Sequence, residues 1–211
     1  MSKSMSVVHI AVPDLVSNSM FPVLAAWELG FFDEEGTQVD VQLHAGFRAI
    51  EALRDESVEF VASGADQPLA LFPEWRGVKL LAATAQGTPF LLVLRADLGV
   101  RRNDLRALRR LRIGAAPEPG RVLTHLLAQA GIDTATEEIE IVAIPGTTEA
   151  GVSTGVTAAR ALADGKLDGF WANALGAQVA THWGIGQVIV DARRGDGPPG
   201  AGSYTDRKSV V

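Results

Sequence analysis

Short apolar runs and stretches with helical spacing alternate along this chain. The first apolar run, residues 7–12, predicts a strand, and a polar loop leads from it into a helix. Asn18 or Ser19 can cap this helix, Pro22 fits its first turn, where no amide hydrogen is needed, and Gly30 is placed to end it. A polar loop that leads onto a helix N-terminus presents free amide groups and the positive end of the helix dipole. Such a loop suits an anion or a polar small molecule.

The same alternation continues to the end of the chain. It predicts strands at residues 39–43, 59–62, 78–85, 90–94, 112–116, 138–144, 167–171 and 188–191. It predicts helices at residues 47–56, 69–75, 121–130, 157–163 and 174–183. The repeated order of strand and helix predicts an α/β fold with parallel sheets and covering helices. Residues 86–89 interrupt this order, and the next strand follows without a helix. We therefore expect the chain to pass there from a first lobe into a second.

Composition and charge exclude several classes of protein. The net charge is −6, and no basic stretch interleaves with aromatic residues, so the chain does not resemble a nucleic-acid binder. The absence of cysteine excludes disulfides, thiolate nucleophiles, zinc–thiolate sites and iron–sulfur clusters. The four histidines are scattered without the spacing of metal ligands. We expect neither a metal site nor nucleic acid as a partner.

Membrane and targeting signals are also missing from the sequence. No apolar run approaches the length of a membrane helix, which predicts no membrane insertion. Residues 1–6 lack the features of a secretory signal peptide, so we expect a cytoplasmic location for the chain as it stands. The basic run over residues 101–112 is interrupted by leucines. It predicts a short helix with a solvated face rather than a phosphate-binding patch.

Three motifs admit more than one interpretation. Residues 151–155 match the hydrolase motif G-x-S-x-G, but no strand runs directly into Ser153, so a loop of the second lobe is the better interpretation. Glu118 and Arg121 form either a pair at a helix start or a charged pair that selects a polar ligand. Trp171 is either a core residue of the second lobe or a wall on which a ligand stacks.

The sequence resembles a known family through four motifs in a fixed order. They are FPVLAAWELGFFDEEGTQVDVQL at residues 21–43, ALRD at 52–55, EFVASG at 59–64 and ALADGKLDG at 161–169. These motifs are similar to those of the substrate-binding proteins of ABC importers of the nitrate/sulfonate/taurine type. That group is the NMT1/THI5-like family, which includes SsuA-like proteins. The likeness covers roughly residues 7–205.

The resemblance implies a type II periplasmic-binding-protein fold. Two α/β lobes, residues 7–88 and 89–205, would be joined by a hinge and hold a ligand in the cleft between them. The implied partners are an ABC permease and a small-molecule ligand of the sulfonate, carboxylate or pyrimidine-like class, with no cofactor and no catalytic residue. The implied ligand-binding residues lie on loops after strands. They are Ser17, Asn18, Met20, Ser63, Gly64, Asp66, Gln86, Thr88, Glu118, Gly120, Arg121, Gly146, Thr147, Trp171 and Asn173.

The sequence departs from the family at its two ends. Family members carry a secretion signal or a lipoprotein anchor, and they continue after the second lobe to complete the first. We therefore expect the C-terminal part of lobe one to be missing, with apolar surface left uncovered. Residues 206–211 match the translation of a common sequencing adapter. We expect these residues to be a non-native tail that forms no strand or helix.

Two other functions fit the same fold. The first is an enzyme, either a pyrimidine-precursor synthase or a menaquinone-pathway enzyme. The synthase uses a cysteine-containing motif, which this chain lacks, and no catalytic motif of the menaquinone pathway is found. The second is a cytoplasmic ligand sensor like the effector domains of LysR-type regulators, although no helix-turn-helix precedes residue 7.

Overall fold

The computed structural model describes residues 7–17, 20–85, 87–146, 153–203 and 207–210, and the chain divides into two compact units. Unit 1 comprises residues 1–86, 148–151 and 205–211, and unit 2 comprises residues 87–147 and 152–204. Within the described ranges, no helix has the length and apolar character needed to cross a membrane.

Strands and helices are numbered in chain order. The strands are β1 (Val8–Val12), β2 (Val39–Leu43), β3 (Phe60–Gly64), β4 (Leu80–Ala85), β5 (Phe90–Arg95), β6 (Arg112–Ala115), β7 (Glu140–Ala143), β8 (Gly169–Asn173), β9 (Gly186–Asp191) and β10 (Arg207–Val210). The α-helices are α1 (Phe21–Glu28), α2 (Phe31–Glu34), α3 (Arg48–Arg54), α4 (Asp66–Leu71), α5 (Pro117–Gln129), α6 (Thr154–Ala163) and α7 (Ala174–His182). Short 3₁₀ helices span Pro73–Trp75, Ala96–Leu98, Leu105–Leu108, Ala192–Arg194 and Ala201–Ser203.

Unit 1 contains a five-stranded sheet with the order β2-β1-β3-β10-β4. β1 pairs in parallel with β2 and β3, whereas β10 pairs antiparallel with both β3 and β4. Four strands of this sheet therefore run in one direction and β10 runs in the other. The helices between β1, β2 and β3 return the chain to the start of each next strand, as parallel pairing requires.

Unit 2 contains a second five-stranded sheet with the order β7-β6-β8-β5-β9. β6 pairs in parallel with β7 and β8, and β5 pairs antiparallel with β8 and β9. The two sheets have the same plan: β1 corresponds to β6, β2 to β7, β3 to β8, β4 to β9 and β10 to β5. The reversed strand β5 of unit 2 follows β4 of unit 1 in the sequence, and the reversed strand β10 of unit 1 follows β9 of unit 2. The interruption at residues 86–89 predicts that the chain passes to another lobe just before β5.

The core of unit 2 has a layer on each face of its sheet. On one face the side chains of β5, β6 and β8 pack against α5, whose Leu123, Leu126 and Leu127 are buried. On the other face, alternate side chains of β5 and β8 such as Val93 and Phe170 pack with those of α6 and α7. Every residue of β5 except the last is buried. A strand covered on both faces needs a continuous apolar run, and this explains its sequence.

The core of unit 1 is smaller. On one face of its sheet Ile50 of α3 packs with Val61 of β3, and on the other face Val12, Met20 and Ala62 form a small buried cluster. Neither α1 nor α2 contains a buried residue. This is unusual for α1, because all of its residues except the last are apolar.

Helix α1 starts and ends close to the positions that the sequence predicts. Pro22 lies in its first turn, and Gly30 after its last turn has a φ of 78°, a left-handed conformation that glycine adopts without strain. The N-cap residue is Met20, whose side chain makes no capping hydrogen bond. The predicted caps, Asn18 and Ser19, lie outside the described residues.

Three helix predictions are corrected by the structure. Helix α5 begins at Pro117 rather than at residue 121, because proline suits the first helical turn and does not form a separate turn here. Helix α4 begins at Asp66, and a separate 3₁₀ helix follows it in place of one helix over residues 69–75. The basic run contains only the 3₁₀ helix Leu105–Leu108.

The end of the chain is a further correction. Residues 207–210 form β10 inside the sheet of unit 1, although the sequence predicts no element there. Arg207 pairs with Gly64 and Val210 pairs with Val61 of β3. The main-chain groups of β3 and β4 on either side need hydrogen-bond partners, and a short strand of almost any sequence can supply them. The origin of residues 206–211 is a separate matter, and the prediction that they are non-native stands as a prediction.

We predict that Leu127→Ala lowers the free energy of unfolding by about 2–5 kcal/mol, because Leu127 is 0% exposed and its truncation leaves a cavity in the core. The matched control is Leu29→Ala, which removes the same atoms from a side chain that is 66% exposed. It should change the free energy of unfolding by less than about 0.5 kcal/mol. Chemical denaturation followed by tryptophan fluorescence measures both. Equal effects of the two substitutions would contradict this picture of the core.

Candidate functional site

The carboxyl ends of the parallel strands of unit 2 lie at one edge of the sheet, here called the strand-end edge. Ala115 at the end of β6 pairs with Ala143 of β7 and Trp171 of β8. Helices α5, α6 and α7 each follow one of these strands, so their N-termini lie along the same edge. In open α/β sheets ligands bind outside this edge. It is therefore the candidate site of unit 2.

Helices α6 and α7 begin side by side. Ser153 Oγ accepts a hydrogen bond from the amide of Val156 at 3.4 Å, and Asn173 Oδ1 accepts one from the amide of Gly176 at 3.3 Å, so both residues are helix caps. The two helices touch at Gly155 and Gly176, where a Cβ on either residue would overlap the main chain of the other. The positive ends of two helix dipoles therefore lie next to each other. This arrangement favours a negatively charged group nearby.

Helix α5 begins at the same edge, and its N-cap residue, Ala116, provides no side-chain cap. Gly120 in its first turns packs closely on the sheet, since a Cβ there would lie 3.2 Å from Cγ2 of Ile141. Arg121 follows directly and is exposed. It brings a positive charge to the start of the helix. Glu118 lies in the first turn, and the structure describes only its backbone. The charged pair of Glu118 with Arg121 therefore stays a prediction.

Three predicted ligand-binding residues of unit 2 are buried: Thr88, Gly120 and Trp171. Thr88 is 1% exposed, and its Oγ1 donates to the carbonyl oxygen of Ala201 at 2.8 Å while its amide donates to that of Gly202 at 2.7 Å. Trp171 is 1% exposed, and its ring centroid lies 5.8 Å from that of Phe90. Its indole nitrogen has no hydrogen-bond partner among the described residues. This placement matches the core interpretation of Trp171, and Thr88 ties the loop after β9 to the start of β5.

A charged cluster at the end of β9 is missing from the predicted site residues. Asp191 is 4% exposed and accepts hydrogen bonds from Arg193 Nε at 2.8 Å and from an Arg193 terminal nitrogen at 2.7 Å. The hydrogen bonds from Arg193 hold the pKa of Asp191 below its ordinary value, against the effect of burial. Asp196 accepts from the amide of Asp191 and from Nε of Arg102, both at 2.8 Å. In the sequence, two acidic residues and two arginines lie within residues 191–196. The glycine- and proline-rich segment that follows them makes this stretch resemble an ordinary loop.

Unit 1 has a strand-end edge of its own. After β1, Ser17 Oγ donates to Oδ2 of Asp14 at 2.7 Å and closes the loop. At the end of β3, Ser63 is 2% exposed and donates to the carbonyl oxygen of Gly64 at 3.2 Å. Met20 is 0% exposed and belongs to the core rather than to an accessible loop. Its long apolar side chain fills the space between the start of α1 and the sheet.

Several predicted ligand-binding residues are described only in part or not at all. Three lie outside the described residues: Asn18, Gln86 and Thr147. Two are described by their backbone alone, at the N-termini of α4 and α5: Asp66 and Glu118. Gly146 lies in the turn after β7 with a φ of 80°. Their contacts with a ligand stay predictions.

The structure contains little that resembles a hydrolase or a metal site. Ser153 caps α6, and the preceding strand among the described residues, β7, ends at Ala143, whereas the hydrolase motif requires a strand that runs directly into the serine. The predicted loop over residues 151–155 is in part a helix start, because Thr154 and Gly155 belong to α6. Within the described ranges, no three His, Cys, Asp or Glu side chains are grouped so that they could hold a metal ion.

The sequence matches the model of one protein family, described as NMT1/THI5 like, over residues 17–184. The chain belongs to the NMT1/THI5-like family, as its motifs predict. No curated protein sequence matches the chain.

Solved structures share the fold. A protein from Bordetella bronchiseptica RB50 has a TM-score of 0.72 and 19% identity, and the match covers 97% of this chain and 63% of that one. The periplasmic aliphatic sulphonate binding protein SsuA from Escherichia coli has a TM-score of 0.71 and 15% identity, covering 99% and 65%. The periplasmic nitrate-binding protein NrtA from Synechocystis PCC 6803 has a TM-score of 0.72 and 12% identity, covering 98% and 55%.

These matches confirm the predicted fold, the type II periplasmic-binding-protein fold. The chain spans less than two thirds of the length of each of these three proteins. This agrees with the expected truncation relative to the family.

We predict that Gly176→Ala destabilises unit 2 by about 1–3 kcal/mol, because the added Cβ would overlap the main chain of Gly155 and force α6 and α7 apart. The control is Gln178→Ala, an exposed position on the same helix, which should be neutral or slightly stabilising. Thermal unfolding followed by circular dichroism measures both. An unchanged melting temperature for Gly176→Ala would show that the two helices do not touch there.

We predict that Asp191→Asn lowers the free energy of unfolding by about 1–2 kcal/mol at pH 7, a modest value because Arg193 is 42% exposed and its charge is screened. The folded-state pKa of Asp191 is depressed, so its stabilisation is present above the unfolded pKa of about 3.9 and is lost as the pH falls through the folded pKa. The difference in melting temperature between the two proteins should therefore shrink from pH 7 to pH 3. Asp164→Asn, which removes an exposed carboxylate, should show little difference at either pH. A difference for Asp191→Asn that is as large at pH 3 as at pH 7 would contradict the ion pair.

Proposed function

We propose that this protein is a solute-binding protein, the binding component of an ABC importer, and that it is not an enzyme. The observation that carries the proposal is the family match over residues 17–184. Neighbours named as sulphonate- and nitrate-binding proteins support an anionic ligand, and their description as periplasmic supports a role outside the cytoplasm. The ligand would be a sulfonate, a carboxylate or a pyrimidine-like molecule, and the partner would be the permease that receives it.

In unit 2, the ligand's charged group would bind at the strand-end edge. The starts of α6 and α7, capped by Ser153 and Asn173 respectively, supply the positive ends of two helix dipoles. The exposed Arg121 near the start of α5 supplies a guanidinium whose planar set of donors suits a sulfonate or a carboxylate. Glu118, Gly146 and Thr147 complete this set of candidates, and the buried Gly120 would support it by letting α5 lie close to the sheet.

The other candidates have different roles in the proposal. In unit 1 the ligand contacts would be Ser17, Asn18, Gly64, Asp66 and Gln86. Met20, Ser63, Thr88 and Trp171 are buried, so they would support the loops that carry the contacts rather than touch the ligand.

Ligand binding is tested by a thermal-shift screen of the 211-residue chain. The probes are an alkanesulfonate, nitrate, an aromatic carboxylate and a pyrimidine. We expect one of the anions to raise the melting temperature in a concentration-dependent way, because a ligand that binds only the folded state stabilises it. No shift with any probe, or turnover of a probe, would overturn the proposal.

The role of Arg121 is tested with the probe that gives a shift. Arg121→Ala should weaken its binding by about 10- to 100-fold, because one charge-assisted hydrogen bond is lost. The matched control is Arg106→Ala, which removes the same charge from an exposed position on a 3₁₀ helix of the same unit. Isothermal titration calorimetry should show unchanged affinity for the control. Equal affinity of both variants and the parent chain would remove Arg121 from the site.

A further inference from the structure

A buried carboxylate holds one arginine in a fixed position at the end of β9. Both oxygens of Asp191 accept hydrogen bonds from Arg193, Oδ1 from Nε at 2.8 Å and Oδ2 from Nη2 at 2.7 Å. The amide of Arg193 also donates to Oδ1, at 3.2 Å. Two hydrogen bonds along one edge of a guanidinium fix its plane and leave its remaining N–H groups turned away from the carboxylate. Since Arg193 is exposed, these groups are open to solvent.

A second arginine adds a positive charge that this carboxylate does not balance. Nε of Arg194 lies 3.6 Å from Oδ2 of Asp191, and its side chain is 74% exposed. The neighbouring Asp196 forms a separate pair with Arg102, whose Nε donates to Oδ2 at 2.8 Å. The cluster therefore holds three arginines against two acidic residues, although the chain as a whole has a net charge of −6. Such a local excess of positive charge favours an anion.

The backbone that carries the two arginines is anchored in the core of unit 2. Ala192 is buried in the same cluster as the leucines of α5. Asp191 is the last residue of β9 and pairs with Leu91 of β5. The 3₁₀ helix Ala192–Arg194 ends at Gly195, which has a φ of 83°. Donors that are already held in place lose less entropy when they bind a ligand, so this placement suits a binding site.

The two arginines lie at the same edge of the sheet as the starts of α6 and α7. Strands β8 and β9 both run antiparallel to β5, so both end at the strand-end edge. Their last residues, Asn173 and Asp191, pair with neighbouring residues of β5. Two strand spacings, about 10 Å, therefore separate these strand ends. One small molecule can span this distance with an acidic group at each end.

We propose that Arg193 and Arg194 bind a second acidic group of the ligand, and that the solute is a dianion with its two acidic groups joined by a short carbon chain. This inference rests on the proposed function, because it assigns a further contact to the same ligand. Asp191 is a positioning residue, which holds the guanidinium of Arg193 without touching the ligand. A dicarboxylate or a sulfocarboxylate has the required chemistry, because the fork of guanidinium donors matches either group.

The test is isothermal titration calorimetry of the 211-residue chain at pH 7 with two matched pairs of compounds. The first pair is butanesulfonate and sulfobutanoate, and the second is pentanoate and glutarate. In each pair a carboxylate replaces the terminal methyl group, so the length stays the same and only the second charge differs. We expect the dianion of at least one pair to bind about tenfold or more tightly than its monoanion, because it gains charge-assisted hydrogen bonds.

Three variants identify the groups that recognise the second charge. Arg194→Gln should reduce the preference for the dianion by about tenfold, because it removes an exposed guanidinium. Asp191→Asn should also reduce this preference, because Arg193 loses its fixed position; a carboxylate that acted only as a nearby negative charge would instead raise the affinity for the dianion when removed. The matched control is Arg106→Gln, which removes the same charge from an exposed position of the same unit and should keep the preference.

The outcomes separate this inference from the proposed function. Equal affinity of the parent chain for both members of each pair would overturn the inference and leave the proposed function in place. A preference for the dianion that Arg194→Gln keeps in full would also overturn it, because the cluster would then serve only to end β9. If none of the four compounds binds, the inference fails, and the nitrate and pyrimidine probes of the thermal-shift screen decide the proposed function separately.

Discussion

The pairing of β5 between β8 and β9 is the constraint on which unit 2 depends. Its main-chain groups face a partner on each side, and the side chains of both faces are buried except at its last residue. A shift by one residue would move each buried side chain to the opposite face, so the register is strongly specified. The same register brings Asn173 opposite Phe90 and Asp191 opposite Leu91, and thereby aligns the ends of β8 and β9 along the strand-end edge.

The sequence predicts most of the strands and helices, because segments with alternating apolar residues and segments with helical spacing are distinguishable in it. It also predicts parallel sheets, whereas the structure shows that β5 and β10 run against their neighbours. β10 could not be predicted, because its position is set by main-chain pairing with β3 and β4 and its residues carry no apolar pattern. The start of α5 was placed too late because Pro117 and Pro119 suit a turn and a first helical turn equally well.

The sequence predicts which loops follow strands, but it does not show which residues of those loops are exposed. Strand ends are visible in the sequence, but burial at a strand end depends on what packs there from distant segments. Trp171 is covered because α5 lies over it, and Thr88 is held by residues more than a hundred positions away. The sequence does not indicate the buried ion pair of Asp191. Its partner Arg193 lies only two residues away, in a segment whose composition is typical of a loop. The solute-binding proposal therefore depends most on the exposed or capping residues of the edge, Arg121 and Asn173, which keep polar groups at the surface.

The place of β10 also has a consequence for how the chain folds. The sheet of unit 1 places β10 between β3 and β4, although all the strands of unit 2 lie between β4 and β10 in the sequence. Strands β5 to β9, by contrast, are contiguous in sequence. We therefore expect unit 2 to complete its sheet while β3 and β4 are still without their common neighbour. Contacts between segments that are far apart in the sequence form slowly, and until they form the open strand edges of unit 1 are a point at which newly made chains can associate wrongly.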